Sequence, residues 1–231
     1  MQKVLHSFKN RKIKFGTMAI KLDLQKAYDR MNWSFLKEVL LRFGFNETFT
    51  SWIMACVTTV SFEILINGGK FDQFKPSRGV RQGDPLSPYL FILAQEVLSR
   101  LLNREFHLKK ISGVKASLNG PASTHVMYTD DIMLFSKATR MEGKAINECL
   151  DMYYKWSGQC INRSKSGIYF SKHTPRQTAR GIKQIFHMKG LKDSIYLGAP
   201  MFLSKSPSKY FSFLQNKLEA RLSGWRSRTL S

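Results

Sequence analysis

The sequence predicts an α+β domain in which a mainly antiparallel sheet is backed by helices. Three observations carry that prediction. Short apolar runs of strand length lie between longer stretches whose apolar residues recur at helical spacing. Tight-turn signals join two of the strand pairs. Capping residues stand where several helical stretches open and close. The order of elements is strand, two helices, hairpin, helix, hairpin, helix, strand, helix, strand, helix, which suits helices grouped around one sheet. With 231 residues and 43% hydrophobic content, the chain can bury a substantial core.

The first strand is Met18 to Leu24, an apolar run that ends near Asp23. Leu36, Val39, Leu40 and Phe43 recur at helical spacing, and Gly44 follows as a stop. A second helix runs through Trp52, Ile53, Cys56 and Val57, with Trp52 expected in the core. Asn67-Gly68-Gly69 between two apolar segments predicts a hairpin. Ser87-Pro88 reads as an N-cap and a first-turn proline, opening a helix whose apolar face carries Phe91, Ala94, Leu98, Leu101 and Leu102. His125-Val-Met and Ile132-Met-Leu-Phe135 flank a second tight bend, with His125 simply opening its strand. Thr139 and Glu142 have the spacing of a capping box for a helix that Gly158 ends. A short strand follows at Ile168, Pro175 opens another helix, and Tyr196 to Pro200 reads as strand then turn. Residues 208–225 form an amphipathic basic helix by pattern.

Composition narrows the partners. Lys and Arg number 37 against 16 Asp and Glu, a net charge of +21 spread along the chain. That balance favours a polyanionic partner, nucleic acid before a membrane surface. Cys56, Cys149 and Cys160 are odd in number and widely spaced, so neither a disulfide framework nor a zinc knuckle is supported. No apolar run approaches a membrane span, and the N-terminus lacks the apolar core of a secretory signal. A nuclear or cytoplasmic location is expected. The basic residues before Asp23 (Lys3, Lys9, Arg11, Lys12, Lys14 and Lys21) read more simply as a phosphate-facing segment than as an organelle address.

Three blocks carry the chemistry. Asp23 ends an apolar strand, where a carboxylate is costly unless it faces a cleft or a cation. Arg78 to Pro88 is a glycine-bearing loop running into a helix, suited to bring backbone close to a flat or phosphorylated ligand. Tyr128-Thr129-Asp130-Asp131 sets two adjacent acids at a bend. Alone, such a pair is most often a solvated turn. With Asp23 it makes a set of three acids suited to two Mg²⁺ ions for in-line nucleotidyl transfer, since magnesium takes few protein carboxylates plus substrate phosphate oxygens.

In this order and spacing the blocks resemble the polymerase palm of reverse transcriptases, most closely those of plant non-LTR (LINE-type) retrotransposons. The segments that carry the resemblance are Lys21-Leu-Asp23 with Lys26-Ala-Tyr28-Asp29, Gly79 to Pro88, Tyr128 to Asp131, and Gly158-Gln159 with Asn162 and Lys165. Tyr196-Leu-Gly-Ala-Pro200 and Arg221-Leu-Ser-Gly224-Trp225 match the motif before the thumb and the thumb's start. The resemblance implies a palm over residues 1–200 and the start of a helical thumb over 201–231, with the N-terminal fingers region largely absent. It implies Asp23 and Asp130 as principal metal ligands with Asp131 beside them. Two Mg²⁺ ions, with Mn²⁺ as a substitute, would be the cofactor.

Further roles follow from the same resemblance. Tyr28 would exclude a 2′-OH. Arg81, Gln82 and Gly83 would line the nucleotide and template side of the cleft. Lys165 would approach the leaving pyrophosphate as proton donor. Asp29 and Asp84 read as structural neighbours. The implied activity is RNA-directed DNA polymerisation, with an RNA template, a DNA primer, deoxynucleoside triphosphates and the rest of a retroelement polyprotein as partners. The alternative is a degenerate fragment that binds nucleic acid without catalysis. Thr129 stands where related elements usually have Ala, which implies tuning of the bend rather than its loss.

Overall fold

A computed structural model of the chain describes residues 16–70, 72–115, 117, 119–191, 195–196, 199–200 and 215–223. The basic segment before residue 16, Leu197-Gly198, and residues 208–214 and 224–225 of the expected basic helix lie outside the described residues.

β1 (Thr17–Asp23) is an inner strand of the main sheet, and Met18, Ala19, Ile20 and Leu22 within it are fully buried. After it come α1 (Trp33–Arg42) and α2 (Glu47–Thr58). A two-stranded hairpin follows, β2 (Leu65–Ile66) and β3 (Gly69–Lys70). Then α3 (Ser87–His107) leads to a small hairpin, β4 (Val114–Lys115) with β5 (Ala122–Ser123). The second long pair is β6 (His125–Tyr128) and β7 (Asp131–Lys137). α4 (Arg140–Ser157), β8 (Gly167–Phe170) and α5 (Arg176–Phe186) complete the core, and β9 (Ile195–Tyr196) pairs with β10 (Ala199–Pro200). A further helix covers 215–223.

The main sheet has the order β6-β7-β1-β8, with every pairing antiparallel. Side chains alternate across it. Met18, Ile20 and Leu22 of β1 join Ile132 and Leu134 of β7 in one core with Phe91, Ala94 and Leu98 of α3 and Ile146, Leu150 and Tyr153 of α4. Helices thus back this face. The opposite face carries Lys21 and Asp23 of β1 together with Asp131 of β7. Among the described residues no helix is long and apolar enough to cross a membrane.

Most local signals resolve as the sequence predicts. Phe43 caps α1, and Gly44 follows it with φ +91°. Asn67 and Gly68 both have positive φ, the geometry of a two-residue hairpin turn. The apolar face of α3 is buried as its spacing requires. Pro175 precedes α5 as its N-cap residue.

Four details differ. Trp52 is 64% exposed rather than core, because α2 buries only Thr50 and turns its aromatic side outward. Ser87 is the first helical residue of α3 and not its cap; the N-cap position is Leu86, with no side-chain cap bond, and Asp84 closes the turn just before it, its Oδ1 accepting from Leu86 N at 2.8 Å. Thr139 caps α4 by accepting from Glu142 N, but Glu142 does not reach back. Its buried carboxylate instead accepts from Ser112 N, Ser112 Oγ and Lys137 N, tying the helix start to distant chain. The β4–β5 pair is an addition that periodicity did not signal.

Gly158 ends α4 in the left-handed region at φ +75°, and a Cβ there would meet the Arg30 carbonyl oxygen at 2.7 Å. At Gly44 the same left-handed conformation opens onto free space. Gly158→Ala is expected to cost more than about 2 kcal/mol, combining backbone strain with a clash against main chain. Gly44→Ala is expected to cost about 1 kcal/mol. Thermal melts of the two variants check the ordering, at about 2–4 °C per kcal/mol for a chain of this size.

Candidate active site

Two strand ends build the acidic centre. In the β1–β7 register Asp23 stands directly opposite Asp131, so both side chains leave the same face of the sheet. Lys21, two residues before Asp23, shares that face. The bend between β6 and β7 is the two-residue turn Thr129-Asp130, which leaves Asp130 exposed beside the half-buried Asp131. One acid therefore sits in the turn and the other in the strand.

The turn is held under strain. Thr129 has φ +49°, a conformation that β-branched residues rarely adopt and that costs about 1–3 kcal/mol. Several bonds hold it there. Thr129 Oγ1 donates to Tyr128 O at 2.8 Å and lies 3.1 Å from Asp130 Oδ1. From α3 the buried Gln95 donates its side-chain Nε2 to the Thr129 carbonyl. Gln95 was not singled out by sequence, although an amide on the apolar stripe between Phe91 and Leu98 is the kind of signal that marks such a residue.

Burial pushes the Asp131 carboxyl above the usual carboxylate range; Lys21 opposes the shift, while Asp130 and Asp23 add to it. The negative potential of the cluster is thus only partly offset by protein. Among the described residues no three acid, histidine or cysteine side chains are gathered closely enough to hold a metal ion. Asp23, Asp130 and Asp131 share one end of the sheet without closing into a triad. The donor set still fits Mg²⁺ or Mn²⁺. It consists of carboxylate oxygens whose mutual repulsion is only partly relieved by Lys21, and such ions take their remaining oxygens from substrate and water.

Tyr28 comes to the same region. Its ring stacks on Phe91 of α3 with centroids 5.0 Å apart and planes 11° from parallel. Burial raises its hydroxyl pKa, and the charge of Asp130 raises it further, which puts the ring within electrostatic reach of the acid turn. Lys165 lies exposed in the turn that follows Asn162. That turn is docked on the end of β1, where Asn162 N donates to Asp23 O at 2.8 Å and Asp23 N donates to Ser166 Oγ at 3.0 Å. Ser166 is thus a second residue whose contribution sequence reasoning missed.

Arg81, Gln82 and Gly83 lie exposed in the loop before α3, with Gly83 at φ +87°. Arg81 Nη2 pairs with Asp84 Oδ2 at 2.7 Å, and the Leu86 amide holds the Asp84 carboxyl below the usual range. Arg81 and Gln82 line a 480 Å³ cleft with Asp29, Val57, Val60 and Phe62. None of the three central acids lines it, so loop and acids are neighbours through the 24–31 segment rather than one pocket. Gly79 N donates to Met31 O at 2.7 Å and Val80 N to Tyr28 O at 2.8 Å, which fastens the loop to that segment. His125 is structural, its ring bonded to Thr124 Oγ1 and Ser99 Oγ.

A raised folded-state pKa means that ionising Asp131 opposes folding, so its penalty grows as pH climbs through that pKa and vanishes below the unfolded value. In metal-free buffer Asp131→Asn is therefore expected to melt above the parent chain near neutrality. The gap should close below about pH 4, where unfolded carboxyls are protonated. Thermal melts across that range check it.

The sequence matches the family model described as reverse transcriptase (RNA-dependent DNA polymerase) over residues 2–213. The chain is 30% identical over 156 residues to the Pol polyprotein of a type-2 retrotransposable element of Drosophila melanogaster, covering 68% of this chain and 14% of that one. Against the Pol polyprotein of a type-1 retrotransposable element of Popillia japonica it is 25% identical over 205 residues, covering 84% and 32%. An uncharacterized mitochondrial protein of Arabidopsis thaliana is 49% identical over 67 residues, 29% of this chain and 55% of that protein. The chain thus spans well under two thirds of each of these relatives. Its fold is similar to that of apo telomerase from Candida tropicalis, truncated from its C-terminal domain, with a TM-score of 0.58, 16% identity, and coverage of 86% and 35%. The sheet with two strand-end acids, the loop fastened beside it and a family match running from residue 2 to residue 213 lead to one conclusion: this chain belongs to the reverse transcriptase family.

Proposed function

We propose that the chain is the polymerase core of a retroelement, extending the 3′-OH of a DNA primer along an RNA template with deoxynucleoside triphosphates. The observation that carries this reading is the β1–β7 register, which sets Asp23 against Asp131 beside the exposed Asp130. In this reading residues 1–200 are the palm and 201–231 the start of the thumb, working with the rest of a polyprotein in the nucleus or cytoplasm. The primer in the parent element would be nicked target DNA.

Asp23 and Asp130 would be the principal ligands of two Mg²⁺ ions, or Mn²⁺, with Asp131 as the third acid. Bound there, the metal supplies activation of the primer hydroxyl and neutralisation of charge on the triphosphate. The protein's own groups do the rest. Tyr28, braced by Phe91, presents a flat wall where a ribose 2′-OH would project. Arg81, Gln82 and Gly83 offer a guanidinium, an amide and accessible backbone to template and nucleotide. Lys165, on the turn docked to β1, gives a proton to the departing pyrophosphate, where negative charge develops. The net charge of +21 supports a nucleic acid partner.

A second reading is binding of nucleic acid without catalysis, and the open arrangement of the three acids favours it. Primer extension on an RNA template separates the two. Under the first reading extension requires Mg²⁺ or Mn²⁺, and Asp130→Asn or Asp23→Asn lowers its rate by about a hundredfold or more. Under the second, the chain retards a primer–template duplex with steep salt dependence and extends nothing.

A further inference from the structure

We propose that Gln159 is a positioning residue for sugar selection: its buried side chain fixes the peptide plane that aims Tyr28. The proposal rests on the polymerase reading, in which Tyr28 meets the sugar. Gln159 is 3% exposed, and its Nε2 donates to the Ala27 carbonyl at 2.8 Å across 132 residues of sequence. That carbonyl belongs to the peptide group that ends at the Tyr28 nitrogen. The next peptide group is held as well, because Tyr28 O accepts from Val80 N at 2.8 Å. Peptide groups are planar, so pinning the two planes on either side of one Cα sets the direction of its Cα–Cβ bond. The Tyr28 ring then completes the placement by stacking on Phe91.

The turn needs such support. Residues 25–30 lie outside the sheet, and Lys26 within them has φ +48°. The loop that carries Gln159 is zipped against the same segment. Gln25 N donates to Cys160 O at 2.8 Å and Asn32 N to Ser157 O at 2.9 Å, on either side of the Gln159–Ala27 bond. Gly158 gives the loop its sharp entry from α4, and Ser157 Oγ accepts from the Gln159 amide at 3.2 Å. Ala27 O can only accept, so the side-chain nitrogen must face it. Gln159 Oε1 has no partner among the described residues, which leaves the bond to Ala27 as the side chain's one polar contact there. Gln159 touches neither substrate nor metal in this scheme. It acts through Tyr28 alone.

The test compares Gln159→Met, which keeps length and burial but removes the donor, with the parent chain and with Tyr28→Ala. The readout is kcat/KM for a deoxynucleotide over that for the matching ribonucleotide. Selectivity is expected to fall about tenfold in Gln159→Met, in the direction of Tyr28→Ala. A loss shared equally by both nucleotides would reduce Gln159 to a structural role and overturn the proposal. Gln159→Asn, which keeps the amide but is one methylene too short, serves the same comparison if the methionine variant does not fold. Hydrogen exchange at the amides of Asp29, Arg30 and Val80 gives a readout independent of polymerisation. If the parent chain extends no primer, the polymerase reading fails by itself. Selectively faster exchange at those three amides then upholds the tie to Ala27, and unchanged exchange refutes it.

Discussion

The antiparallel pairing of β1 with β7 is the constraint on which the rest of this molecule depends. Its register, from Thr17 opposite Lys137 to Asp23 opposite Asp131, does two things at once. It sends Met18, Ile20, Leu22, Ile132 and Leu134 into the core beneath α3 and α4. It also sends both carboxylates to the other face, at the same end. A slip by one residue would turn β1 over, burying the acid and exposing the apolar side chains. The apolar driving force that folds the sheet thereby also sets the alignment of the acids.

Around that pair the fold gathers everything else onto one short segment. Residues 23–32 lie between two loops that approach from distant sequence. The 157–166 loop bonds Asp23, Gln25, Ala27 and Asn32. The 79–80 loop bonds Tyr28 and Met31, and Trp33 Nε1 donates back to Gly79 O at 2.7 Å. α3 contributes from beneath, with Phe91 under Tyr28 and Gln95 reaching Thr129 one helical turn further on. A single rigid helix face thus spaces the tyrosine from the acid turn. In a chain with 37 basic residues, three acids are kept together by main-chain bonds rather than by ion pairs alone, which leaves their charge available to a ligand.

Much of this was legible in the residue order. Local rules hold wherever a bond closes within a few residues: Asn67-Gly68 makes its turn, Gly158 ends its helix, and the i, i+3, i+4 stripe of α3 is buried. They fail where a group is satisfied from afar. Glu142 has the spacing of a capping box, yet Ser112 and the Lys137 amide claim its carboxylate. Trp52 has the hydrophobicity of a core residue, yet it lies on a side of α2 that no element covers among the described residues. Of the site, Asp23, Tyr28, Asp130 and Asp131 were readable as motif positions, whereas the bonds that Gln95 and Ser166 make were not, because their partners lie 34 and 143 residues away.

By itself, then, the sequence determined the α+β class and the excess of basic charge, which reside in periodicity and composition, and the family, which its motif blocks carry by resemblance. Tertiary structure alone decided which acid faces which, that Asp130 belongs to a strained turn while Asp131 opens a strand, and that the three carboxylates stand as neighbours without forming a closed triad. It also decided that Gln159, one motif residue among several, reaches Ala27. The reason is physical. Strand register and loop docking are set by the burial of side chains scattered over the whole chain, and no local window contains that information.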